Sequence, residues 1–146
     1  MQEWLMKSFF EMKSFWEDFE EKMFTPVRIE QAVEEVGFII NITGLKPGSN
    51  VLDFPCGVGR HSIVFSKLGY NVTGVDITEK YLKKAVLRSR KEKVKVEFKK
   101  GDIRKYKENN KYDLVINMYT SFGYFPKLSD DKKVLRNIYS SLKPGG

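Results

Sequence analysis

Residues 51–61 read Val51-Leu52-Asp53-Phe54-Pro55-Cys56-Gly57-Val58-Gly59-Arg60-His61. The apolar start predicts a short buried strand, and the two glycines predict a tight turn where backbone can approach a ligand closely. A helical pattern opens at Ser62 and would point its first N–H groups at the same place. Strand, glycine turn and helix in this order predict the first unit of an α/β fold.

Short apolar runs and amphipathic helical patterns alternate along the rest of the chain. Strands are predicted at 71–76, 94–98 and 112–117, with helices at 62–68, at 78–89 and from an N-cap at Ser129 onward. This alternation predicts βαβ units and a parallel, doubly wound sheet. Before the glycine turn, apolar residues at steps of three and four predict one helix that ends near Met23, and a second over 27–43.

Polar residues follow each predicted strand, namely Asp53, Asp76, Asp102 and Asn117. Because the carboxyl ends of parallel strands share one edge of a sheet, these side chains are expected to meet in one crevice. Asp76 lies 19 residues after Gly57, the spacing that suits ribose hydroxyls. The ligand is therefore predicted to contain a nucleoside. A carboxylate at Asp53 disfavours a pyrophosphate beside the turn and favours an amine or a cation.

The composition is typical of a globular protein in a reducing compartment. Apolar residues make up 41% of the 146 residues and charged residues 31%, and no apolar run is long enough to span a membrane. No signal peptide is recognised at the N-terminus. The single cysteine, Cys56, excludes an internal disulfide and a structural zinc site. A cytoplasmic location, no membrane association and no bound metal are therefore expected.

The positive charge is concentrated in one segment. The chain carries a formal net charge of +7, and residues 80–111 hold 14 Lys or Arg but 4 Asp or Glu. Such a basic stripe can bind the phosphates of a nucleic acid. It can equally be a solvated face, because Lys residues that alternate with Val94, Val96 and Phe98 are typical of an edge strand that avoids pairing. Both interpretations stay open, and the solvated face is favoured.

These motifs together resemble those of the class I S-adenosylmethionine-dependent methyltransferases of the small-molecule type. Residues 51–61 look like the family's first motif, 74–77 like its second and 101–103 like its third. Residues 112–115 resemble its fourth strand, and 142–146 resemble the turn before its fifth. The resemblance covers 49–146. It implies an α/β, Rossmann-like, doubly wound parallel sheet with strand order 3-2-1-4, flanking helices and a preceding helical segment.

The resemblance also implies which residues hold the cofactor, S-adenosyl-L-methionine, and the product, S-adenosyl-L-homocysteine. Asp53 would hold the amino group, directly or through water; Asp76 would take the ribose hydroxyls; Asp102 would accept from the adenine amino group. The predicted cofactor site comprises Asp53, Pro55, Cys56, Gly57, Gly59, Arg60, Asp76, Ile77, Asp102, Ile103, Asn117 and Met118. Pro55 stands where the family usually has glycine, and proline provides no backbone N–H there.

The acceptor is predicted to be a small molecule. The aromatic segment 119–125 resembles the acceptor loop of small-molecule methyltransferases, and the predicted acceptor contacts are Trp16, Arg28, Tyr119 and Phe122. Displacement at a sulfonium needs placement more than a general base, so no diagnostic catalytic residue is expected. His61 could serve as a base, but a packing or hydrogen-bonding role at the helix start is favoured.

Two other functions stay open: an RNA or protein methyltransferase that uses the basic stripe, and a non-catalytic cofactor-binding module or truncated remnant. Residues 1–48 are predicted to form an N-terminal helical lid or cap, and 49–146 the cofactor-binding core. The family's sheet has further strands after the fourth, so this core is expected to be incomplete at the C-terminus. The fourth strand would then be an exposed apolar edge, paired in a homodimer or covered by the N-terminal helix.

Overall fold

The structure is a computed structural model that describes residues 13–119, 122–123 and 125–146, without the side chains of Lys13, Ser14, Trp16 and Glu17. The elements follow in the order α1 (Lys13–Met23), α2 (Pro26–Thr43), β1 (Asn50–Asp53), α3 (Arg60–Lys67), β2 (Asn71–Asp76), α4 (Glu79–Lys91), β3 (Val96–Lys100), β4 (Leu114–Ile116) and α5 (Leu128–Ser141). The strands form one parallel sheet in the order β3-β2-β1-β4. The predicted α/β fold and strand order are confirmed.

Apolar side chains cover both faces of the sheet, as is usual for parallel strands. Successive residues of β1 point to opposite faces. Val51 belongs to a buried cluster with Val36 of α2 and Phe65 of α3. Leu52 belongs to a second cluster, against which Ile138 of α5 packs. No helix among the residues described is long and apolar enough to cross a membrane.

The strand register brings the ends of β1 and β2 to the same edge. Asp53, the last residue of β1, pairs with Gly74, and β2 continues to Asp76. The Cys56 N–H donates to the Val75 carbonyl at 2.9 Å, which fixes the start of the glycine turn against β2. Both carboxylates and the turn therefore lie at the carboxyl edge, where a parallel sheet binds its ligands.

Several element boundaries differ from the predicted ones, and α3, for example, begins at Arg60 rather than at Ser62. The Val94 N–H donates to the Ser89 carbonyl, so Val94 closes the end of α4 and β3 begins at Val96. The Asp130 N–H donates to the Lys127 carbonyl, so Lys127 rather than Ser129 is the N-cap of α5. β4 is shorter than predicted because Tyr112 bridges outward to Leu142.

The outer edge of β4 is paired at one point within the described part of the chain. Tyr112 forms a parallel bridge with Leu142, and the Lys143 N–H donates to the Tyr112 carbonyl at 2.8 Å. Leu114 and Val115 are half-buried, because the two apolar clusters pack on their opposite faces. Pairing of this edge with a second chain, or its cover by the N-terminal helix, stays a prediction.

Glu108 ties β3 to the segment before β4 and gives a prediction about pH. Its carboxylate accepts hydrogen bonds from Lys99 at 3.0 Å, Lys111 at 2.5 Å and Tyr112 at 2.5 Å. Burial opposes its charge, but these donors outweigh burial and lower the pKa of Glu108 from 4.5 to about 2. This stabilisation is present above pH 4.5, the ordinary pKa, and is lost as the pH falls through the folded value.

We therefore expect E108Q to lower the free energy of unfolding by about 1 kcal/mol at pH 7, a value discounted for partial exposure. The wild type and the variant should converge as the pH falls toward 2, the folded pKa. Urea unfolding across this pH range measures both effects. The control is E97Q, since the Glu97 side chain is 56% exposed. A difference between E108Q and wild type that persists at low pH would contradict the prediction.

Candidate functional site

A cleft lies at the carboxyl edge of the sheet, between the glycine turn, the ends of the strands and the junction of α1 and α2. Most predicted cofactor residues line it, namely Pro55, Cys56, Gly57, Arg60, Asp76, Ile77, Asp102, Ile103 and Met118. Asp53, Gly59 and Asn117 lie outside the lining. Convergence of separate strand ends on one cleft is the arrangement expected of an α/β binding site.

Asp76 holds the glycine turn in place through hydrogen bonds from backbone N–H groups. One carboxylate oxygen accepts the Gly57 N–H at 2.8 Å, and the other accepts the Thr78 N–H at 2.8 Å. Burial raises the pKa of the Asp76 carboxyl, although the two backbone donors oppose the shift. Each carboxylate oxygen has a second lone pair. Asp76 can therefore accept ligand hydroxyls in the cleft while it holds the turn.

Asp53 is buried behind the turn and has one unsatisfied oxygen. Its Oδ2 accepts from the Ser62 N–H at 3.1 Å and from the Ser62 hydroxyl at 2.6 Å. Its Oδ1 is the one buried side-chain polar atom, among the residues described, that has no hydrogen-bond partner. Burial raises the pKa of the Asp53 carboxyl. An acceptor of this kind favours a nearby donor or cation.

The two glycines of the turn play different parts. Both have positive φ, 54° at Gly57 and 72° at Gly59. A Cβ on Gly57 would lie 2.8 Å from the Phe24 ring, which lines the cleft. A Cβ on Gly59 would instead lie 2.9 Å from the Phe98 ring inside the protein. Gly57 therefore admits a close neighbour at the cleft, and Gly59 lets α3 pack against β3 and α4.

Asn117 and Cys56 have structural contacts. The Asn117 side-chain amide donates to the Phe54 carbonyl at 2.9 Å, which ties the end of β4 to β1. The Cys56 side chain is buried, and burial together with the Asp53 and Asp76 carboxylates raises the pKa of its thiol well above 9.0. A thiol with a raised pKa is a poor nucleophile. No group of three or more metal-ligating side chains occurs within the described ranges.

Asp102 is engaged by an arginine that sequence reasoning missed. The Arg104 guanidinium donates from Nε at 3.0 Å and from a terminal nitrogen at 2.7 Å, and the Arg104 N–H donates at 2.8 Å. Burial opposes the charge of Asp102, but these contacts lower the pKa of its carboxyl. Arg104 also lies over the Phe125 ring, 5.1 Å from its centroid. An adenine amino group would share Asp102 with Arg104.

A polar network that includes Glu35 lies beside the glycine turn. Glu35 of α2 accepts from Arg60 at 2.9 Å, contacts His61 Nε2 at 2.7 Å and accepts from the Tyr119 hydroxyl. Burial opposes its charge, but the hydrogen bonds from Tyr119 and His61 and the charge of Arg60 lower the pKa of Glu35. The helical pattern of α2 does not predict a role for Glu35 in the site, because the partners of Glu35 are at least 25 residues away in the sequence.

The predicted acceptor residues separate into three groups. Arg28 and Tyr119 line the cleft. Phe122 is 49% exposed and lies outside the lining. Trp16 is in α1, but its side chain lies outside the described residues. The structure adds two aromatic side chains that were not predicted, Phe24 and Tyr81, and it places Phe125 of the predicted aromatic segment in the same lining.

Comparison with known proteins identifies the family. A profile described as "Methyltransferase domain" matches residues 51–146. A ubiquinone biosynthesis O-methyltransferase of Bordetella avium is 32% identical over 123 residues, which are 83% of this chain and 46% of that protein. The chain spans less than half the length of the first curated relatives that it matches.

Solved structures share the fold over most of the chain. A protein of Pyrococcus horikoshii, PH0226, superimposes with a TM-score of 0.77 at 28% identity, over 92% of this chain and 63% of that one. An S-adenosylmethionine-dependent methyltransferase of Clostridium acetobutylicum superimposes with a TM-score of 0.74 at 22% identity, over 91% of this chain and 54% of that one. The second likeness is evidence of the fold alone.

Proposed function

The chain belongs to the class I S-adenosylmethionine-dependent methyltransferases, and from this premise we propose that its cleft binds S-adenosylmethionine for methyl transfer to a small molecule. The unsatisfied oxygen of buried Asp53 carries this proposal. It offers negative charge behind a glycine turn that permits close approach, and the amino acid part of the cofactor carries an ammonium group. The residues present therefore fit the cofactor.

We assign the adenosine part of the cofactor to the residues at the ends of β2 and β3. Asp76 lines the cleft with both oxygens held by backbone donors, and the remaining lone pairs can accept ribose hydroxyls. Ile77 and Ile103 line the cleft near Asp102 and can pack on the two faces of a purine. Asp102 is already oriented by Arg104, so an amino group on that purine meets a positioned acceptor.

The acceptor is proposed to be a small molecule with an apolar or aromatic part. S-adenosylmethionine would supply a methyl group bonded to a positively charged sulfur, whose departure as a thioether needs little help. The chain's contribution is then to hold the acceptor's nucleophile in line, which supplies much of the rate. Phe24, Tyr81, Met118 and Tyr119 line the cleft and offer apolar contact. The name of the Bordetella avium relative, an O-methyltransferase of ubiquinone biosynthesis, supports this class.

The ion pairs of the basic stripe support a small acceptor over a polyanion. Lys80 and Lys84 both contact Glu20 of α1, and Lys99 and Lys111 both contact Glu108. Cations that are already paired release fewer counterions when they meet a phosphate backbone. We also propose a cytoplasmic location, which the single buried cysteine supports, and homodimer formation through the outer edge of β4.

Isothermal calorimetry with S-adenosylmethionine and S-adenosylhomocysteine tests the proposal. The wild type should bind both ligands, and the absence of binding by either would overturn it. Binding of both ligands without methylation of small oxygen or nitrogen nucleophiles would favour the non-catalytic module.

Asp53→Asn should separate ligand binding from stability. The neutral amide removes the attraction for the ammonium group, so affinity should fall about tenfold. The folded pKa of Asp53 lies above its ordinary value of 3.8, so the ionised carboxylate opposes folding above that range. D53N removes this electrostatic penalty, so the free energy of unfolding of the ligand-free protein at pH 7 should be no lower than that of the wild type. Calorimetry and urea unfolding measure the two effects, and a loss of both affinity and stability would contradict the assignment.

A further inference from the structure

His61, the single histidine of the chain, is held at the start of α3 by a carboxylate of α2. Its Nε2 lies 2.7 Å from a carboxylate oxygen of Glu35. The residue is 4% exposed and lines the cleft. The Tyr119 ring stacks near it, with 6.3 Å between the ring centroids and an interplanar angle of 27°. His61 thus joins α2 to the wall of the cleft.

The contact with Glu35 decides which ring nitrogen of His61 carries the proton. Burial opposes the charge of Glu35, but its hydrogen bonds and the charge of Arg60 lower its pKa, so this carboxyl is ionised at neutral pH. An ionised carboxylate only accepts hydrogen bonds, so Nε2 of His61 must be the donor. In the neutral imidazole the free lone pair is then on the other nitrogen, Nδ1.

Nδ1 of His61 has no hydrogen-bond partner among the residues that the structure describes. Within those residues, the one fully buried side-chain polar atom that lacks a partner is Oδ1 of Asp53, so Nδ1 is not enclosed by protein. Because His61 lines the cleft, Nδ1 is accessible from it. A neutral imidazole nitrogen of this kind accepts hydrogen bonds and can take up a proton. The hydrogen-bonding role favoured by the sequence therefore uses one nitrogen and leaves the other open.

Two carboxylates stabilise the positive charge that His61 would gain with a second proton. Glu35 contacts Nε2 directly. Burial raises the pKa of Asp53, and a charge on His61 opposes that shift, so the two groups attract each other. Arg60 carries a positive charge nearby, but its guanidinium is already paired with Glu35 at 2.9 Å. The arrangement is that of a carboxylate–histidine pair, in which the carboxylate fixes the tautomer and stabilises the imidazolium.

We propose that Nδ1 of His61 accepts the proton of a hydroxyl on the methyl acceptor, and that Glu35 is the positioning residue that fixes the imidazole tautomer. This inference rests on the proposed function and adds a substrate class, because an alcohol or phenol must lose its proton when its oxygen is methylated. As that oxygen forms its bond to the methyl carbon, the hydroxyl proton moves to Nδ1 and the pair of the breaking carbon–sulfur bond stays on sulfur. The products are a methyl ether, a neutral thioether and an imidazolium that returns its proton to water.

Nitrogen-15 magnetic resonance tests the tautomer, and a single histidine needs no assignment. At pH 8, protein saturated with S-adenosylhomocysteine should carry the imidazole proton on Nε2 and none on Nδ1. E35Q should lose this preference, because an amide donates as well as accepts. E34Q, at an exposed position of the same helix, is the control and should keep it. A wild-type imidazole protonated on Nδ1 alone would overturn the proposal.

Phenol and anisole separate a contact with the acceptor from a contact with the cofactor. Anisole is the methyl ether of phenol and lacks the hydroxyl proton. On protein saturated with S-adenosylhomocysteine, phenol should shift the Nδ1 resonance and anisole should not. An equal response to both compounds, or to neither, would overturn the proposal. If S-adenosylhomocysteine alone produces the whole change, Nδ1 contacts the cofactor and the proposal is wrong.

Methylation of phenols by the wild type and H61Q measures the contribution of the base. Glutamine can donate to Glu35 but has no basic nitrogen, so kcat for phenol should fall at least about a hundredfold, with KM for S-adenosylmethionine unchanged. 4-Nitrophenol is largely ionised at pH 8 and needs no base, so its kcat should fall much less. Equal losses with both phenols in an H61Q protein that thermal unfolding shows to be folded would assign His61 a structural role.

Failure of this inference is distinguishable from failure of the proposed function. If calorimetry shows that the wild type does not bind S-adenosylhomocysteine, both are wrong. If the wild type binds it and the tautomer or the phenol response is not the expected one, the cofactor site stands and the inference alone is overturned. Should the wild type methylate neither phenol, the two resonance measurements decide the role of His61.

Discussion

Replacing Asp76 with alanine is expected to reduce the affinity for S-adenosylmethionine by at least about a hundredfold. The change removes the acceptor proposed for the ribose hydroxyls. It also leaves the Gly57 and Thr78 N–H groups without the carboxylate that each contacts at 2.8 Å, so the turn that faces the cofactor loses its support. Each charged hydrogen bond of this kind contributes about 1.5–3 kcal/mol. Calorimetry with S-adenosylmethionine measures the loss.

Two further variants separate the ribose contact from general damage. D76N keeps one acceptor oxygen, so it should support one of the two backbone donors and lose less affinity than D76A. D113N is the matched control, because Asp113 accepts from the Asn50 N–H at 2.7 Å and from Lys143 at 2.8 Å but lies outside the cleft lining. If D76A is folded and binds the cofactor as tightly as D113N does, Asp76 has no part in the site.

Gly59→Val is expected to destabilise the fold by about 3–5 kcal/mol, from left-handed backbone strain and overpacking together. Gly59 has a φ of 72°, and a Cβ there would lie 2.9 Å from the Phe98 ring and 3.2 Å from the Ala85 side chain. Both neighbours belong to elements packed in the interior, so neither can move away freely. Thermal and urea unfolding measure the loss.

Gly37→Ala is the control within the same chain. Gly37 lies in α2, and a Cβ there would meet nothing within 4 Å. Removing glycine from a helix interior should stabilise the fold by about 0.5–1 kcal/mol. The opposite signs of the two variants would show that the backbone conformation and packing at Gly59, and not the loss of glycine as such, are responsible. A stable G59V protein that no longer binds cofactor would instead assign Gly59 to the ligand, as the family resemblance implies.

The sequence alone determined the fold and the edge at which the site lies. Strand and helix periods are local, and the alternation of β1, α3, β2 and α4 leaves a parallel sheet as the arrangement that buries their apolar faces. Asp53 and Asp76 end two strands that the register aligns, so their convergence follows from the topology. Helix and strand limits shifted by a few residues, because turns at Val94 and Lys127 use backbone hydrogen bonds that composition does not show.

Tertiary structure alone decided the contacts that complete the site. Gly57 and Gly59 look equivalent in the sequence. In the structure, however, a Cβ on Gly57 would meet the Phe24 ring at the cleft, and a Cβ on Gly59 would meet the Phe98 ring in the interior. Asp102 was predicted to accept from the adenine amino group, and the structure shows that Arg104 also donates to it.

Glu35 has no local signature in the sequence, whereas Arg28 was already predicted as an acceptor contact. The role of Glu35 depends on α2 packing beside α3, which brings Arg60 to Glu35 across 25 positions of the chain. Local periodicity specifies which face of a helix is buried. Which charges meet is set by the docking of separate elements, as the contact between Arg60 and Glu35 shows.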